Sequence, residues 1–332
     1  MRITPAEVFW TRRRLIARLG QGAVATAVGA GLGACSGRRE IPLEPLESLT
    51  APATDHRIPD AVERRAVTAQ EVAASHTNFY ELGPGKARDF RGRLEAFDTV
   101  NWQVVVDGLC ERPTTLTVDD LKQFPLEERL YHFRCVERWA MNVPWVGFPL
   151  HRLWEKVRPR PEARWVVFES AALGDELMPG IAQAPHYPWP YREALRRDEA
   201  DHDLAFLALG AYGEVLPPQH GAPVRLVVPW KYGYKSAKSI VRITWVDEEP
   251  TTFWHQVSPH EYGLLSNVNP NISHPRWEQK LSFWLRDDPV WPTGEDVFPT
   301  PIFNGYGSEV AHLYPDEPRL PLPPLQPGEI AR

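Results

Sequence analysis

"PPQHGAPVRLVVPWKYGYKSAKSIVR", residues 217–242, sets a cationic segment among strand-like apolar runs. A His-Gly turn at His220 precedes Arg225, which leads the apolar run 224–228. Lys231, Lys235, Ser236, Lys238 and Arg242 then gather around Gly233. Such a loop offers charged donors and backbone amides to an anion, most simply a phosphate. His220, Arg225, Ser236 and Lys238 are embedded at apolar strand ends, where idle charge is costly. Lys231 and Arg242 fit a solvated basic hairpin.

Outward from this stretch, short strands and short helices alternate with Pro-rich loops. Residues 102–109, 165–169, 204–209, 224–228 and 240–246 have strand character. Thr68 and Glu71 make a capping-box pattern opening a short helix before Asn78. Thr117 and Asp120 resemble that pattern less closely, and residues 150–157 and 191–200 have helical spacing. The mixture predicts an α+β fold rather than a doubly wound sheet. No GxGxxG follows a strand and no GxxxxGK[ST] is present, so dinucleotide and P-loop readings have no support. The 332 residues, 43% of them hydrophobic, suffice for one large core or two small ones. With 34 Pro and 13 Trp a loop-rich fold is favoured over a helical bundle. A net charge of −6, with no Lys/Arg block outside the N-terminal leader, makes nucleic acid a poor partner.

The leader carries Arg12, Arg13 and Arg14 ahead of a Gly/Ala-rich apolar run, 17–34. That is the pattern of a twin-arginine export signal, and the run is weakly apolar and short for a membrane anchor. Leu32-Gly33-Ala34-Cys35 resembles a lipoprotein box, which leaves lipidation of Cys35 open. The expected organisation is a signal over 1–35, an extended arm over 36–66 and one domain over 67–332. From Ser36 on, 32 basic residues face 42 acidic ones, a net charge of −10.

"YHFRCVERWAMNVPW", residues 131–145, places Cys135 between Arg134 and the pair Val136-Glu137. Four roles are open to it. Arg134 could depress the pKa of a nucleophilic thiol, with Glu137 orienting a histidine base. The thiolate could ligate a soft metal, although no CxxC or HExxH points to zinc. Cys135 could instead be a buried structural residue or pair with Cys110.

"RCVERW" (134–139) taken with residues 217–240 resembles the sulfite-oxidase-type molybdopterin fold. "TNFYELG" (77–83), "EYGLLSNVNPNISHPRWEQ" (261–279) and "PIFNGYGSEVAHLY" (301–314) narrow the resemblance. They are similar to the catalytic subunits of periplasmic, molybdopterin-dependent protein-methionine-sulfoxide reductases, which work with a membrane haem partner. The resemblance implies a molybdenum-molybdopterin cofactor ligated through Cys135. It implies Asn78, Tyr80 and Glu81 beside that cofactor, with Ser170 where the family has Thr and His220 where close relatives have Asn. Arg225, Ser236, Ala237 and Lys238 would hold the pterin and its phosphate, and Glu137 would face the site unless it is a surface carboxylate. Trp145, Trp230, Tyr232 and Tyr234 are candidates for an aromatic rim, at least half of them expected in ordinary core packing. The expected substrates are oxidised periplasmic proteins. Without a CxxCH haem site, electrons would come from the membrane haem subunit. Sulfite oxidation on the same cofactor, a cysteine hydrolase and a cofactor-free binding module are the competing readings.

Overall fold

Two kinds of strand build the molecule, and burial separates them. Numbered in chain order, β1 (Gln103–Gly108), β2 (Thr114–Thr117), β5 (Trp165–Ser170), β6 (Arg192–Arg196) and β10 (Ile240–Val246) form one sheet ordered β2-β1-β10-β5-β6. Here β1 and β10 run parallel and the other pairs antiparallel. In β1 and β5 buried residues alternate with more open ones, as expected of a sheet with one covered face. The second sheet contains β3 (Glu127–Arg134), β4 (Trp139–Pro149), β7 (Phe206–Ala211), β8 (Glu214–Val215), β9 (Arg225–Val227), β11 (Leu281–Trp284) and β12 (Val297–Pro299). In it β4 pairs with β3, β7 and β11, while β9 pairs with β7. Every residue of β7 and nearly all of β4 is buried, so these two strands lie in the middle of the core. One apolar cluster includes Val104, Val106 and Ile243 of the first sheet and Val143, Trp145 and Leu207 of the second.

This computed structural model describes residues 46–54, 59, 66–83, 97, 99–174, 177–285 and 296–318. The predicted export signal, Cys35 and much of the arm over 36–66 lie outside them. Within the arm, Glu47 and Leu49 bond to Val215 and Gly213 beside β8, and Pro52 and Thr54 bond to Glu128 of β3.

Two local expectations change. Residues 191–200 are not one helix: Arg192–Arg196 forms β6 against β5, and only Arg197–Asp201 is helical. The good helix formers Glu193, Ala194 and Leu195 are overruled by cross-strand pairing. Thr68 does not cap its helix, α1 (Gln70–Ser75). It pairs instead with Asn142 of β4, its amide donating to the Asn142 carbonyl and its hydroxyl accepting from the Asn142 amide, both at 3.0 Å. The less regular Thr117/Asp120 pattern does form a capping box, opening α2 (Val118–Lys122). Residues 150–157 are helical in two pieces, a 3-10 turn and then α3 (Trp154–Val157).

Gly147 marks the register shift between β4 and β7. A Cβ there would lie 2.0 Å from the Leu207 carbonyl oxygen.

Candidate active site

Cys135 sits where β3 hands over to β4, at the base of a tight reversal. Its amide donates to the Trp139 carbonyl (3.0 Å), and its carbonyl accepts from the Arg138 amide (2.9 Å). Arg138 closes the turn in the left-handed region, φ 83°, which a side chain occupies only when its surroundings hold it. Strand β11 supplies that hold: Arg138 Nε donates to the Leu281 carbonyl (3.1 Å), and the Phe283 amide donates to the Arg138 carbonyl (3.0 Å). The turn aims two donors at the buried Cys135 sulfur, the Glu137 amide (3.5 Å) and Asn78 Nδ2 (3.9 Å). Donors of this kind favour a thiolate.

Glu137 is tied into the same arrangement, accepting from Asn78 Nδ2 and Trp139 Nε1, each at 3.1 Å. It lines the cleft rather than the outer surface. The Arg134 guanidinium is engaged by Gln279 Oε1 and Ser282 Oγ, both 2.7 Å away, and by the Cys135 carbonyl. Cys110 and Cys135 are not joined by a disulfide.

A cleft partly open to solvent lies at Cys135. Part of its lining is cationic. Arg225 is fully buried, and its guanidinium donates only to the carbonyls of His220 (2.9 Å), Leu226 (3.2 Å) and Ser236 (3.4 Å). Among the described residues no carboxylate pairs with it, and burial alone brings its pKa down to about 9. His220 Nε2 is buried without a protein partner. Burial, reinforced by Arg225 and Lys238, pushes the His220 pKa down to about 3, so the ring is neutral. Ser236 Oγ accepts from the Val228 amide (3.2 Å), which leaves its hydroxyl hydrogen for the cleft. Lys238 Nζ donates to the Asn78 carbonyl (2.5 Å), joining the cationic wall to the Cys135 wall.

The Asn78–Glu81 turn forms a third side. Gly180 of α4 (Pro179–Gln183) packs against it so closely that a Cβ would meet the Tyr80 carbonyl at 1.8 Å. Burial pushes the Glu81 carboxyl up to about 7, its own backbone hydrogen bond and Lys238 opposing that rise. Tyr80 is held far above the usual phenol range, first by burial and then by Glu137, and stays a protonated donor.

A thiol with hydrogen-bond donors shares a cleft with a buried cation that has no counter-charge among the described residues and with an imidazole whose Nε2 has no partner among them. This donor set fits a thiolate-ligated metal centre carried on an anionic organic cofactor. The comparisons agree. Residues 91–254 match the family described as the oxidoreductase molybdopterin binding domain. Over 318 residues the chain is 44% identical to the protein-methionine-sulfoxide reductase catalytic subunit MsrP of Burkholderia mallei, covering 94% of this chain and 91% of that one. The chain belongs to the MsrP family. Campylobacter jejuni MsrP is 42% identical over 314 residues, 95% of this chain and 97% of the relative. A partial structural likeness, at TM-score 0.39 and 24% identity over 46% of this chain and 40% of the other, is to the sulfane dehydrogenase SoxCD of Paracoccus pantotrophus. The α+β, molybdopterin-binding fold expected from sequence is thus the fold of this family.

Asn78, Tyr80, Glu81, Cys135, Glu137, His220, Arg225, Ser236 and Lys238 all line this one cleft. Ser170 and Ala237 are buried but are not among its lining residues. The Ser170 hydroxyl has no protein partner, and the Ala237 carbonyl accepts from the Leu226 amide (2.9 Å). Of the four rim candidates, Trp145 and Tyr234 line the cleft. Trp230 is a core residue whose Nε1 donates to the Tyr314 hydroxyl (2.8 Å), and buried Tyr232 lies beneath Arg134. Lys231 is no solvated hairpin residue: it is fully buried and bonded to Glu199, Asn267 and the Leu265 carbonyl. Sequence reasoning missed Trp139, Tyr191, Trp254, Tyr262 and Trp277 as lining residues. They come from separate segments with no shared spacing, so no periodic signal marks them.

Proposed function

We propose that this chain reduces protein-bound methionine sulfoxide to methionine with a molybdenum-molybdopterin cofactor held in the cleft. The carrying observation is that the buried Cys135 thiol shares one cleft with Arg225, a buried cation that no carboxylate among the described residues balances. The relatives' printed name supports the substrate, and the matched family supports the cofactor. When bound, the cofactor supplies two-electron oxygen-atom exchange, chemistry that no side chain here carries. Overall, the sulfoxide takes up two electrons and two protons and leaves as thioether and water.

In this reading Cys135 is the metal's protein ligand, its sulfur oriented by the Glu137 amide and Asn78. Arg225, neutral His220, Ser236 and Lys238 bind the pterin and its phosphate, with Ala237 and Ser170 supporting them from outside the lining. Asn78 and Trp139 fix the Glu137 carboxylate, and protonated Tyr80 offers a hydroxyl donor. In this reading the leader is a twin-arginine export signal, the domain works in the periplasm after export in the folded state, and electrons come from a membrane haem subunit.

The test is oxidation of a reduced viologen dye by purified, molybdenum-loaded protein on addition of methionine sulfoxide. Rapid bleaching is expected, and Cys135→Ala should abolish it along with bound molybdenum. Metal-replete protein that leaves the reduced dye coloured with methionine sulfoxide, yet reduces an oxidised acceptor dye when sulfite is added, would overturn the assignment.

A further inference from the structure

The cleft has a fourth side that the cofactor residues do not account for. Tyr80 meets Trp254 edge-on at 4.9 Å between ring centroids, and Trp254 lies 5.1 Å from Tyr262 at 36°. Beyond Tyr262, His274 (5.7 Å) leads on to Trp277 (4.8 Å). Tyr187 backs Trp254 at 5.9 Å. Tyr80, Trp254, Tyr262 and Trp277 all line the cleft that holds Cys135. Each ring is thus braced by a neighbour, which makes a preformed aromatic wall.

Resting on the activity proposed above, we propose that this wall grips the S-methyl end of a methionine sulfoxide side chain, and that Trp254 and Tyr262 set the enzyme's affinity for that group. A sulfoxide sulfur carries partial positive charge, which polarises the hydrogens of its methyl group toward a π face. Sulfur itself packs favourably against aromatic rings. The same rings suit the thioether product, so the wall binds substrate and product alike and acts on affinity more than on the chemical step.

Two measurements test the wall. In the first, kinetics with a peptide-bound methionine sulfoxide compare wild type with Trp254→Ala. KM should rise about two- to tenfold, with kcat held within about twofold, and Trp254→Phe should recover part of the loss. Tyr262→Leu, made in parallel, carries the same test should Trp254→Ala fail to fold. Molybdenum content and thermal midpoint of each variant establish that the cofactor site is intact. In the second, calorimetry follows binding of the sulfone of N-acetylmethionine amide, which keeps the S-methyl group. Wild type should bind it several-fold more tightly than either variant. Unchanged KM in metal-replete variants, or sulfone binding that is equal in variants or absent in wild type, overturns the wall. A wild type that binds the sulfone yet reduces no sulfoxide would sink the proposed activity and leave the wall standing.

Discussion

Arg225 and Lys231 lie six positions apart in one basic stretch, both buried, yet their surroundings differ in kind. Lys231 Nζ has three protein acceptors: Glu199 (2.7 Å), the Leu265 carbonyl (2.7 Å) and Asn267 (2.9 Å). Its neighbour Lys235 is matched to buried Glu193 at 2.5 Å. Arg225 has only carbonyls and the ring faces of Trp145 (4.8 Å) and Phe133 (5.5 Å). A lysine whose charge is balanced within the protein is scaffold; an arginine whose charge is left over awaits an anion. Both are cations of one basic stretch, and charge balance separates their roles.

The largest effect is expected on the scaffold side. Glu199→Ala strands Lys231 and removes the acceptor of the Tyr314 hydroxyl (2.6 Å). Leaving one buried charge unpaired should cost about 3–5 kcal/mol of stability, read from urea unfolding. A loss below about 1 kcal/mol would show that Lys231 is not held by that pair. Arg225→Met should reverse the pattern. Unfolding of the cofactor-free protein should change less than in Glu199→Ala. Cofactor retention, measured as molybdenum content on dilution, should weaken about ten- to a hundredfold, the worth of hydrogen bonds to a charged group. Equal retention in the two variants would erase the distinction.

Much of this was legible from the chain, and what was not has identifiable causes. Strand β10 was readable to the residue because one face is covered and its side chains alternate. Strand β4 was not: Asn142, Pro144 and Gly147 interrupt it, and burial on both faces erases alternation. Pro144 is tolerated because its carbonyl accepts from Tyr212 (3.0 Å) and pairing with β7 begins only at Trp145. In the site, Cys135 and Arg225 stood out because a thiol and a charge among apolar residues demand a reason. That reason came from resemblance rather than spacing. Trp254 gave no local signal beside Phe253, since an aromatic pair is ordinary core, and Tyr262 lay in a stretch marked only by resemblance.

His220 sharpens the comparison through pH. Its ring is held neutral down to about pH 3, whereas in the unfolded chain it titrates near the ordinary histidine value. Between those limits the unfolded chain binds the extra proton, so acid favours unfolding. Stability of the cofactor-free protein should fall by at most about 1.4 kcal/mol per pH unit from this one group, or about 2 kcal/mol by pH 5. His132, pushed down to about 4 by burial, acts in the same direction. Replacing His220 by Asn should shallow the acid limb without abolishing it, as chemical denaturation at stepped pH would show. An unchanged limb would place the His220 ring in contact with water.

Arg242 completes the series at its weak end. It lies half-exposed on β10 and pairs with Asp107 of β1, which also accepts from Thr244 Oγ1 at 2.9 Å. Its charge is balanced, but in water, where an ion pair contributes about 0–1 kcal/mol and salt screens it. Arg242→Ala should therefore shift the urea midpoint slightly, less so at high salt, and leave molybdenum content and KM untouched. Burial without a counter-charge is the criterion that assigns Arg225 to the cofactor. If Arg242→Ala depleted molybdenum as Arg225→Met is expected to do, that criterion would fail, and the basic stretch would be acting through its total charge rather than through one buried guanidinium.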